Sequence, residues 1–234
     1  MSRFSNFLLS LIIVCISFPL ILLALILVFL EDFGYPIYCA SRVGSNNKDF
    51  KMYKIRTMIM NADKIGVNST SNLDNRITKS GYYIRKLKID ELAQFFNVLI
   101  GNMSIVGPRP NTRNWGVDLY SIEEMKLLSV KPGITDLSSI VFSDEGSILQ
   151  GSEHPDKDYN TLIRPWKSKL GLFYIENRSA LLDLKIIFCT ILVVLSRKLA
   201  LRYASNLIAT YGGPQDLVDV AKRKKPIKEY LVDA

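Results

Sequence analysis

The stretch KIDELAQFFNVLIGNMSIVGPRP, residues 88–110, begins with an acidic pair, Asp90 and Glu91. Apolar residues at helical spacing follow the pair: Leu92, Phe95, Phe96, Leu99 and Ile100. This spacing predicts a helix that opens at the acids, gathers the apolar residues on one face and ends near Gly101. Carboxylates in a first helical turn accept hydrogen bonds from unpaired backbone N–H groups, so a purely structural cap is one interpretation of the pair.

The same stretch ends with Arg109 held between Pro108 and Pro110. Proline rings stiffen the backbone, so they can hold one guanidinium in a fixed direction. A fixed Arg suits a phosphate better than a flexible Lys does, and a helix N-terminus also favours anions. The acidic pair and the fixed Arg together therefore predict phosphate chemistry, as the alternative to a structural cap.

A long apolar segment precedes this region. Residues 7–30 contain no charged residue, and a helix of that length can cross the hydrocarbon core of a bilayer. Pro19, near the middle, is expected to kink the helix, and the Ser17 hydroxyl can bond a carbonyl that the proline leaves free. The segment is therefore either a plain spanning anchor or a broken, re-entrant helix. A cleaved signal peptide fits less well, because no small-residue cleavage site follows.

The charge balance indicates a partner with negative charge. The chain has 30 basic and 22 acidic residues, a net charge of +8, and residues 222–225 form a basic run. Residues 181–201 form a second apolar stretch that carries charges, which is typical of an interfacial amphipathic helix. Because no nucleic-acid module or register of stacking aromatics accompanies the basic residues, we predict binding to membrane lipids and no nucleic acid as partner.

Several blocks of sequence, in the same order, point to a family. Residues 88–110 closely resemble the signature of the bacterial sugar transferases, or monotopic phosphoglycosyl transferases. The resemblance extends to RVG at 42–44, YKIRTM at 53–58, KPGIT at 131–135, YIEN at 174–177 and LDLK at 182–185. It covers the chain from the N-terminal apolar segment to residues near 200.

The resemblance implies an α+β, mostly helical fold in a monotopic membrane protein. Residues 1–32 are expected to form the re-entrant membrane helix, residues 33–204 a compact catalytic domain with interfacial amphipathic helices, and residues 205–234 a polar, basic tail. A re-entrant helix keeps both termini on one side of the bilayer. The expected location is therefore the bacterial inner (cytoplasmic) membrane, with the active site facing the cytoplasm.

The resemblance also implies a reaction. Asp90 is the nucleophile that displaces UMP from a UDP-sugar, which gives a covalent phosphosugar intermediate, and Mg²⁺ is held near the same carboxylate. Glu91 accepts a proton from polyprenyl (undecaprenyl) phosphate as that lipid attacks, and the product is a polyprenyl diphosphate-sugar for surface glycan assembly. The basic residues that we assign to phosphate binding are Arg56, Arg85, Arg109, Lys54 and Lys131.

Other points stay open at the level of sequence. A non-catalytic, membrane-anchored scaffold that retains the fold and the phosphate site is the alternative function, and the intact acidic pair argues against it. The sugar that is transferred and the formation of a homodimer are both left undecided. Lys88 replaces a small hydroxyl residue of the family and would lower the pKa of Asp90 if the two lie close. The polar residues 61–76 are predicted to form a loop.

Overall fold

The computed structural model describes residues 1–65, 74–114 and 116–230, and its fold is α+β and mostly helical, as the sequence predicts. The α-helices are α1 (Arg3–Asp32), α2 (Lys79–Lys86), α3 (Gln94–Leu99), α4 (Leu137–Val141), α5 (Glu145–Ile148), α6 (Pro155–Asp158), α7 (Arg164–Glu176), α8 (Ala180–Leu195), α9 (Arg197–Thr210) and α10 (Gln215–Lys222). The strands are β1 (Ile37–Val43), β2 (Asp49–Ile55), β3 (Ser104–Val106) and β4 (Gly133–Thr135). The 3-10 helices are Ser45–Asn47, Ala62–Ile65, Ile89–Ala93, Val117–Leu119, Glu124–Ser129 and Ile227–Glu229, and Tyr159–Ile163 is a π-helix.

Strands β1 and β2 form an antiparallel hairpin, with Ile37 opposite Ile55 at one end and Val43 opposite Asp49 at the other. The connection reverses the chain through Asn46, whose φ is 56°. Asn adopts this left-handed conformation more readily than most residues, so the turn follows from the sequence. The hairpin matters for the site because β2 carries Lys54 beside the acidic pair.

Strands β3 and β4 are parallel and cross very closely at two glycines. A Cβ atom added to Gly133 would lie 2.1 Å from the backbone nitrogen of Gly107, so neither position tolerates a side chain. Gly107 N–H donates to the Thr135 carbonyl at 3.1 Å, and Gly133 N–H donates to the Pro108 carbonyl at 3.0 Å. These bonds fix the segment that leads into Arg109.

Helix α1 packs one narrow face against the rest of the protein. Its buried residues recur every three or four positions, apart from one longer step after Val14: Asn6, Ser10, Val14, Ile21, Ala24 and Val28. The other faces expose large apolar side chains, including Phe4 at 74% and Ile16 at 76%. Within the described ranges, α1 is the one helix long and apolar enough to cross a membrane.

The sequence predicted a kink at Pro19, and the structure has one continuous run of helical residues from Arg3 to Asp32 with Pro19 inside it. The Ser17 hydroxyl donates to the Ile13 carbonyl at 2.6 Å, one turn back. It therefore does not bond the Cys15 carbonyl, which is the one that lacks an N–H donor because residue 19 is proline.

Both ends of α1 bind the same catalytic region. Near the start, the Asn6 side-chain oxygen accepts a buried hydrogen bond from the Ile105 N–H at 2.8 Å. At the end, the Asp32 carboxylate accepts two hydrogen bonds from Arg56, each 2.6 Å long. The middle of the helix, by contrast, is mostly exposed. Helix α1 is thus part of the fold at both ends and is uncovered between them.

The sequence predicted a polar, basic tail for residues 205–234, of which the structure describes residues 205–230, including the end of α9 and all of α10. Helix α9 continues through residue 204 to Thr210, and α10 packs beside it. Side chains from both helices belong to the main hydrophobic core: Ala200, Ala204, Leu207, Ile208, Leu217, Val218, Val220 and Ala221. Helix α9 crosses the boundary predicted at residue 204, and small and aliphatic residues every three or four positions bury one face of each helix.

The apolar stretch 181–201 is divided between two helices, with Ser196 capping the start of α9. Helix α8 buries Leu182, Asp183, Ile186 and Cys189 and exposes a second apolar face. The exposed side chains on that face are Leu181, Leu184, Phe188, Ile191, Val194 and Leu195. Such a face matches the interfacial helix that the sequence predicted. Of the predicted loop 61–76, residues 66–73 lie outside the described part of the chain.

Candidate active site

The acidic pair lies in the 3-10 helix Ile89–Ala93, which continues directly into α3. Lys88 precedes it in the left-handed conformation, with φ at 58°, and so turns the chain sharply after α2. This turn brings Asp90 to the buried side of the new helix, where 8% of its surface is exposed.

The apolar residues predicted to share one face of this helix, Leu92, Phe95, Phe96, Leu99 and Ile100, are partly or largely exposed. Residues buried along it are Ile89, Asp90, Ala93, Gln94, Asn97 and Val98, whereas Phe96 and Ile100 are 38% and 56% exposed. Among these buried polar residues, Asn97 bonds the backbone of β2, whose N–H and C=O groups need hydrogen-bond partners. The apolar residues are left on the outer side of a helix that also packs beside α1.

Asn97 fixes strand β2 against α3. Its side-chain oxygen accepts a hydrogen bond from the Tyr53 N–H at 2.9 Å, and its side-chain nitrogen donates to the Lys51 carbonyl at 2.7 Å. Asn97 itself is fully buried. The residue after Tyr53 is Lys54, so these two bonds set the position from which the Lys54 side chain reaches the acidic pair.

Glu91 lies between two cations. Its Oε1 accepts a 2.9 Å hydrogen bond from Arg109 Nη2 and lies 3.9 Å from Lys54 Nζ. Burial alone would raise the pKa of Glu91, but the charges of Arg109 and Lys54 outweigh it and hold the pKa well below its ordinary value. Glu91 in turn raises the pKa of Arg109. Both groups are therefore charged at neutral pH.

Asp90 has a different environment from its neighbour. Its Oδ2 lies 3.7 Å from Lys54 Nζ, and within the described residues it accepts no hydrogen bond. Burial raises the pKa of Asp90, the charge of Glu91 raises it further, and Lys54, Lys88 and Arg85 oppose the increase. The effect predicted for Lys88 is thus confirmed in direction. A buried carboxylate that accepts few hydrogen bonds is more reactive than one whose oxygens are all hydrogen-bonded.

Arg42 is a neighbour that the sequence analysis did not assign to the site. It is half-buried on β1, its Nη1 donates to the Ser41 carbonyl at 2.9 Å, and no carboxylate in the described ranges pairs with it. Burial lowers the pKa of Arg42, and the nearby charge of Arg109 lowers it further. The RVG block at 42–44 is the sequence signal that could have identified Arg42. Because its charge lies near that of Arg109, the two side chains together favour binding of an anion.

The sequence predicted that Arg56 binds phosphate, but in the structure its guanidinium is hydrogen-bonded to other groups of the protein. Besides its two bonds to Asp32, it donates to the Tyr35 carbonyl at 2.7 Å and to the Met58 carbonyl at 3.1 Å. Its guanidinium is 7% exposed. Arg56 therefore holds the end of α1 to β2, and we leave it out of the phosphate-binding set.

Arg85 and Lys131 lie on different sides of the pair. Arg85, in the last turn of α2, is close enough to lower the pKa of Asp90, and its side chain has no ion pair within the described residues. Lys131 Nζ lies 3.6 Å from the position of a Cβ atom added to Gly101, as does Arg3 Nη2. Lys131 thus belongs to a basic group near the start of α1, and it is not among the charges that act on the pair.

The donor set fits a divalent cation only in part. The described residues contain no group of three His, Cys, Asp or Glu side chains that could enclose a metal. Mg²⁺, however, is commonly held by one or two carboxylates together with substrate phosphates and water. Asp90 fits that requirement, because it lacks hydrogen-bond donors, whereas Glu91 is already paired with Arg109.

Comparison with known proteins agrees with this geometry. The family described as "Bacterial sugar transferase" matches residues 1–197. A UDP-N-acetylgalactosamine-undecaprenyl-phosphate N-acetylgalactosaminephosphotransferase of Aeromonas hydrophila is 39% identical over 181 residues, which is 76% of this chain and 40% of that protein. A UDP-glucose:undecaprenyl-phosphate glucose-1-phosphate transferase of Klebsiella pneumoniae is 37% identical over 187 residues, 78% of this chain and 37% of that protein.

A third relative is closer in length. The uncharacterized sugar transferase EpsL of Bacillus subtilis is 35% identical over 182 residues, which is 77% of this chain and 80% of that protein. The chain thus spans less than half the length of the first two relatives. The family match covers the whole of the site built from Lys54, Asp90, Glu91 and Arg109. The chain belongs to the bacterial sugar transferase family.

Proposed function

We propose that the protein transfers a sugar 1-phosphate from a UDP-sugar to undecaprenyl phosphate, as the first membrane step of surface polysaccharide or glycoconjugate assembly. The observation that carries the proposal is the asymmetry of the acidic pair. Asp90 is buried with Lys54 as its closest cation at 3.7 Å, while Glu91 is neutralised by Arg109. Such a pair offers one carboxylate for attack and one for positioning. The names of the relatives agree with this substrate class.

In the first step, an oxygen of the Asp90 carboxylate attacks the phosphorus that carries the sugar. The bond from that phosphorus to the UMP oxygen breaks, and UMP leaves with the bonding electron pair. Lys54, Arg109 and Arg42 offset the negative charge of the diphosphate, which would otherwise repel the attacking carboxylate. The product of this step is a mixed anhydride (acyl phosphate) in which the Asp90 carboxyl group carries the phosphosugar.

In the second step, an oxygen of undecaprenyl phosphate attacks the same phosphorus and releases Asp90. Glu91 is a weak proton acceptor in the free protein, because Arg109 and Lys54 hold its pKa low. When a phosphate draws Arg109 away, Glu91 loses the largest of the charges that lower its pKa, so the pKa of Glu91 rises. Glu91 would thus accept the proton of the lipid phosphate only when that phosphate is bound.

Mg²⁺ is the cofactor that we propose for this site, held by Asp90 and the phosphates of the donor. When bound, it neutralises phosphate charge and favours departure of the nucleotide. Glu91 is already committed to Arg109 and contributes charge rather than a ligand. Chelation of divalent cations should therefore abolish turnover, and added Mg²⁺ should restore it.

We also propose a monotopic arrangement in the bacterial inner membrane, with the site facing the cytoplasm. A helix that crossed the bilayer once would place its start on the opposite side from the catalytic region. The hydrogen bond between Asn6 and Ile105 and the ion pair between Asp32 and Arg56 argue for both ends of α1 on one side. The apolar surface between them, with the outer face of α8, would then lie in the lipid.

The experiment that tests the activity is UMP release from a panel of UDP-sugars by purified protein in detergent with Mg²⁺. We expect UMP release that depends on undecaprenyl phosphate under multiple-turnover conditions. A stoichiometric burst of UMP without the lipid would report the Asp90 acyl phosphate. Absence of UMP release across the panel, from protein that still binds UDP-sugar, would support the alternative, a non-catalytic membrane-anchored scaffold.

A further inference from the structure

A stripe of three polar side chains runs along the buried side of the helical segment that carries the acidic pair. Asp90, Gln94 and Asn97 follow one another at intervals of about one helical turn, and all three are buried. Asn97 makes two hydrogen bonds with the backbone of β2, at 2.9 Å and 2.7 Å. Gln94, which lies between Asp90 and Asn97 in this stripe, is the member that the bonds to β2 leave unexplained.

The Gln94 side-chain nitrogen is a buried hydrogen-bond donor without an acceptor among the described residues. Only 1% of the residue is exposed. A buried donor that is left unpartnered costs free energy, and such groups are uncommon in folded proteins. A methionine or leucine would fill a similar space without that cost, so packing alone does not account for a glutamine at this position.

The direction of a helical side chain places this donor beside Asp90. In a helix, each Cα–Cβ bond tilts toward the N-terminus, and a long side chain lies over the turn that precedes it. Ala93 has helical φ and ψ, so the 3-10 helix runs on into α3, and the turn that precedes Gln94 is the one that carries Asp90. Residues four apart on one helix face have Cβ atoms about 6 Å apart, which a glutamine side chain can span.

The Asp90 carboxyl group can accept a further hydrogen bond. Its Oδ2 lies 3.7 Å from Lys54 Nζ, and it accepts no hydrogen bond within the described part of the chain. In the proposed reaction, one carboxyl oxygen bonds phosphorus and the other becomes the carbonyl oxygen of the acyl phosphate. Lys54 and Arg109 are assigned to the phosphates, whereas Gln94 is more deeply buried than Asp90 and approaches the carboxyl group from the interior.

We infer that the Gln94 side-chain amide donates a hydrogen bond to the Asp90 carboxyl oxygen that does not bond phosphorus. The inference rests on the proposed function. In the second step, an oxygen of undecaprenyl phosphate forms a bond to phosphorus, the bond from phosphorus to Asp90 breaks, and its electron pair returns to the carboxyl group.

The returning negative charge explains why this hydrogen bond favours one step over the other. The charge spreads over both carboxyl oxygens of Asp90, so a donor on one of them stabilises the leaving carboxylate. In the first step, the same donor stabilises the carboxylate before it attacks and so does not accelerate that step. Gln94 is therefore expected to assist the second step and not the first.

The test compares Gln94→Met with a matched control, Ser10→Ala. The Ser10 hydroxyl is also buried without a partner among the described residues, but it belongs to α1 and has no role in the proposed reaction. Both substitutions remove an unpartnered buried polar atom, so neither should lower the melting temperature. Gln94→Leu is measured as well, because a shorter apolar side chain keeps the test valid if methionine does not pack.

The assay separates the two steps. Purified protein in detergent with Mg²⁺ is mixed with UDP-glucose, UDP-galactose or their N-acetylated forms, each radiolabelled in the β-phosphate. Labelling of the protein, with release of UMP, reports the first step. Undecaprenyl phosphate is then added, and transfer of the label from protein to lipid reports the second step.

We expect both Gln94 variants to become labelled at close to the wild-type rate and to transfer the label to the lipid about tenfold more slowly. Ser10→Ala should match the wild type in both steps. Unchanged transfer in the Gln94 variants would overturn the inference. Equal losses in both steps with a lower melting temperature would also overturn it and assign Gln94 a structural role. A wild-type protein that does not become labelled would instead contradict the proposed function, and the inference with it.

Discussion

Asp90 and Glu91 are adjacent in the chain, but their surroundings give them different chemistry. Asp90 accepts no hydrogen bond within the described residues, whereas Glu91 is bonded to Arg109. We predict that Asp90→Asn lowers lipid-dependent UMP release by at least about 10³-fold, because an amide cannot act as the nucleophile. The matched control is Asp118→Asn, since Asp118 is exposed and lies outside the site. Near-normal turnover by Asp90→Asn would contradict the proposed mechanism.

Lys54 should control the acid side of the pH profile. Burial raises the pKa of Asp90 and Lys54 lowers it, so removal of Lys54 raises it further. The carboxylate must be ionised to attack, and the pH below which kcat/KM falls should therefore move upward in Lys54→Met. The control is Lys51→Met, an exposed position on the same strand. A profile that falls at the same pH in both variants would show that Lys54 does not act on Asp90.

Residues close in sequence were easier to predict than residues brought together by folding. Asp90, Glu91 and Arg109 were assigned from one continuous stretch, and the structure pairs Arg109 with Glu91, next to Asp90. Lys54 and Arg56 are two residues apart, so strand alternation would put them on one face. Strand β2 ends at Ile55, however, and the chain after it turns Arg56 toward Asp32. The end of a strand could not be read from the YKIRTM block.

At the level of elements, the contact between α3 and β2 depends on one side chain. Asn97→Ala would leave the Tyr53 N–H and the Lys51 carbonyl without partners in a buried position. We predict a loss of about 2 kcal/mol in the free energy of unfolding, together with a lower kcat because Lys54 is no longer fixed. Asn102→Ala, at an exposed position near the end of the same helix, should change neither. Thermal unfolding and steady-state kinetics measure the two effects.

The attachment of α1 at Asp32 should make stability depend on pH. The hydrogen bonds from Arg56 lower the pKa of Asp32. A carboxyl group whose pKa is lower in the folded than in the unfolded protein stabilises the folded protein fully at pH values above its unfolded-state pKa. This stabilisation is lost as the pH falls through the lower, folded-state pKa. Asp32→Asn should therefore lower the melting temperature at pH 7 and have little effect near pH 2.

The variant Asp32→Asn has a matched control at the other side of the catalytic region. Asp49→Asn removes an exposed ion pair with Arg113, whose Nη2 lies 2.8 Å from the Asp49 carboxylate. Exposed pairs contribute little to stability, so the control should melt close to the wild type. An equal decrease in both variants would show that the Asp32 pair has no special role.

Whole-molecule features were predicted less well than local ones. The apolar segment at the N-terminus was found from length and composition, but its attachment to the catalytic region at both ends depends on Asn6 and Arg56, which no periodicity identifies. The C-terminal residues are predicted to form a tail because residues 222–225 form a basic run. Buried Ala200, Ala204 and Ala221 show how small side chains allow close helix packing that hydropathy alone does not reveal.

The arrangement of the whole molecule in the membrane can be tested with single cysteines. In a background with Cys15, Cys39 and Cys189 replaced by Ala, we introduce either Ser5→Cys, at the start of α1, or Lys48→Cys, in the catalytic region; both positions are exposed. A membrane-impermeant maleimide should label both only after the inner membrane is permeabilised. Labelling of Ser5→Cys in intact spheroplasts, with Lys48→Cys protected, would show that α1 crosses the bilayer.

The two-ended attachment of α1 has a consequence for how this protein is made in the cell. Ile105 obtains its hydrogen bond from Asn6, a residue synthesised about a hundred positions earlier, and Arg56 obtains its carboxylate from Asp32. The N-terminal helix can therefore make these contacts only after the later strands have been synthesised. Deletion of residues 1–32 would not release a soluble enzyme, because it would remove partners that the catalytic region needs to finish folding.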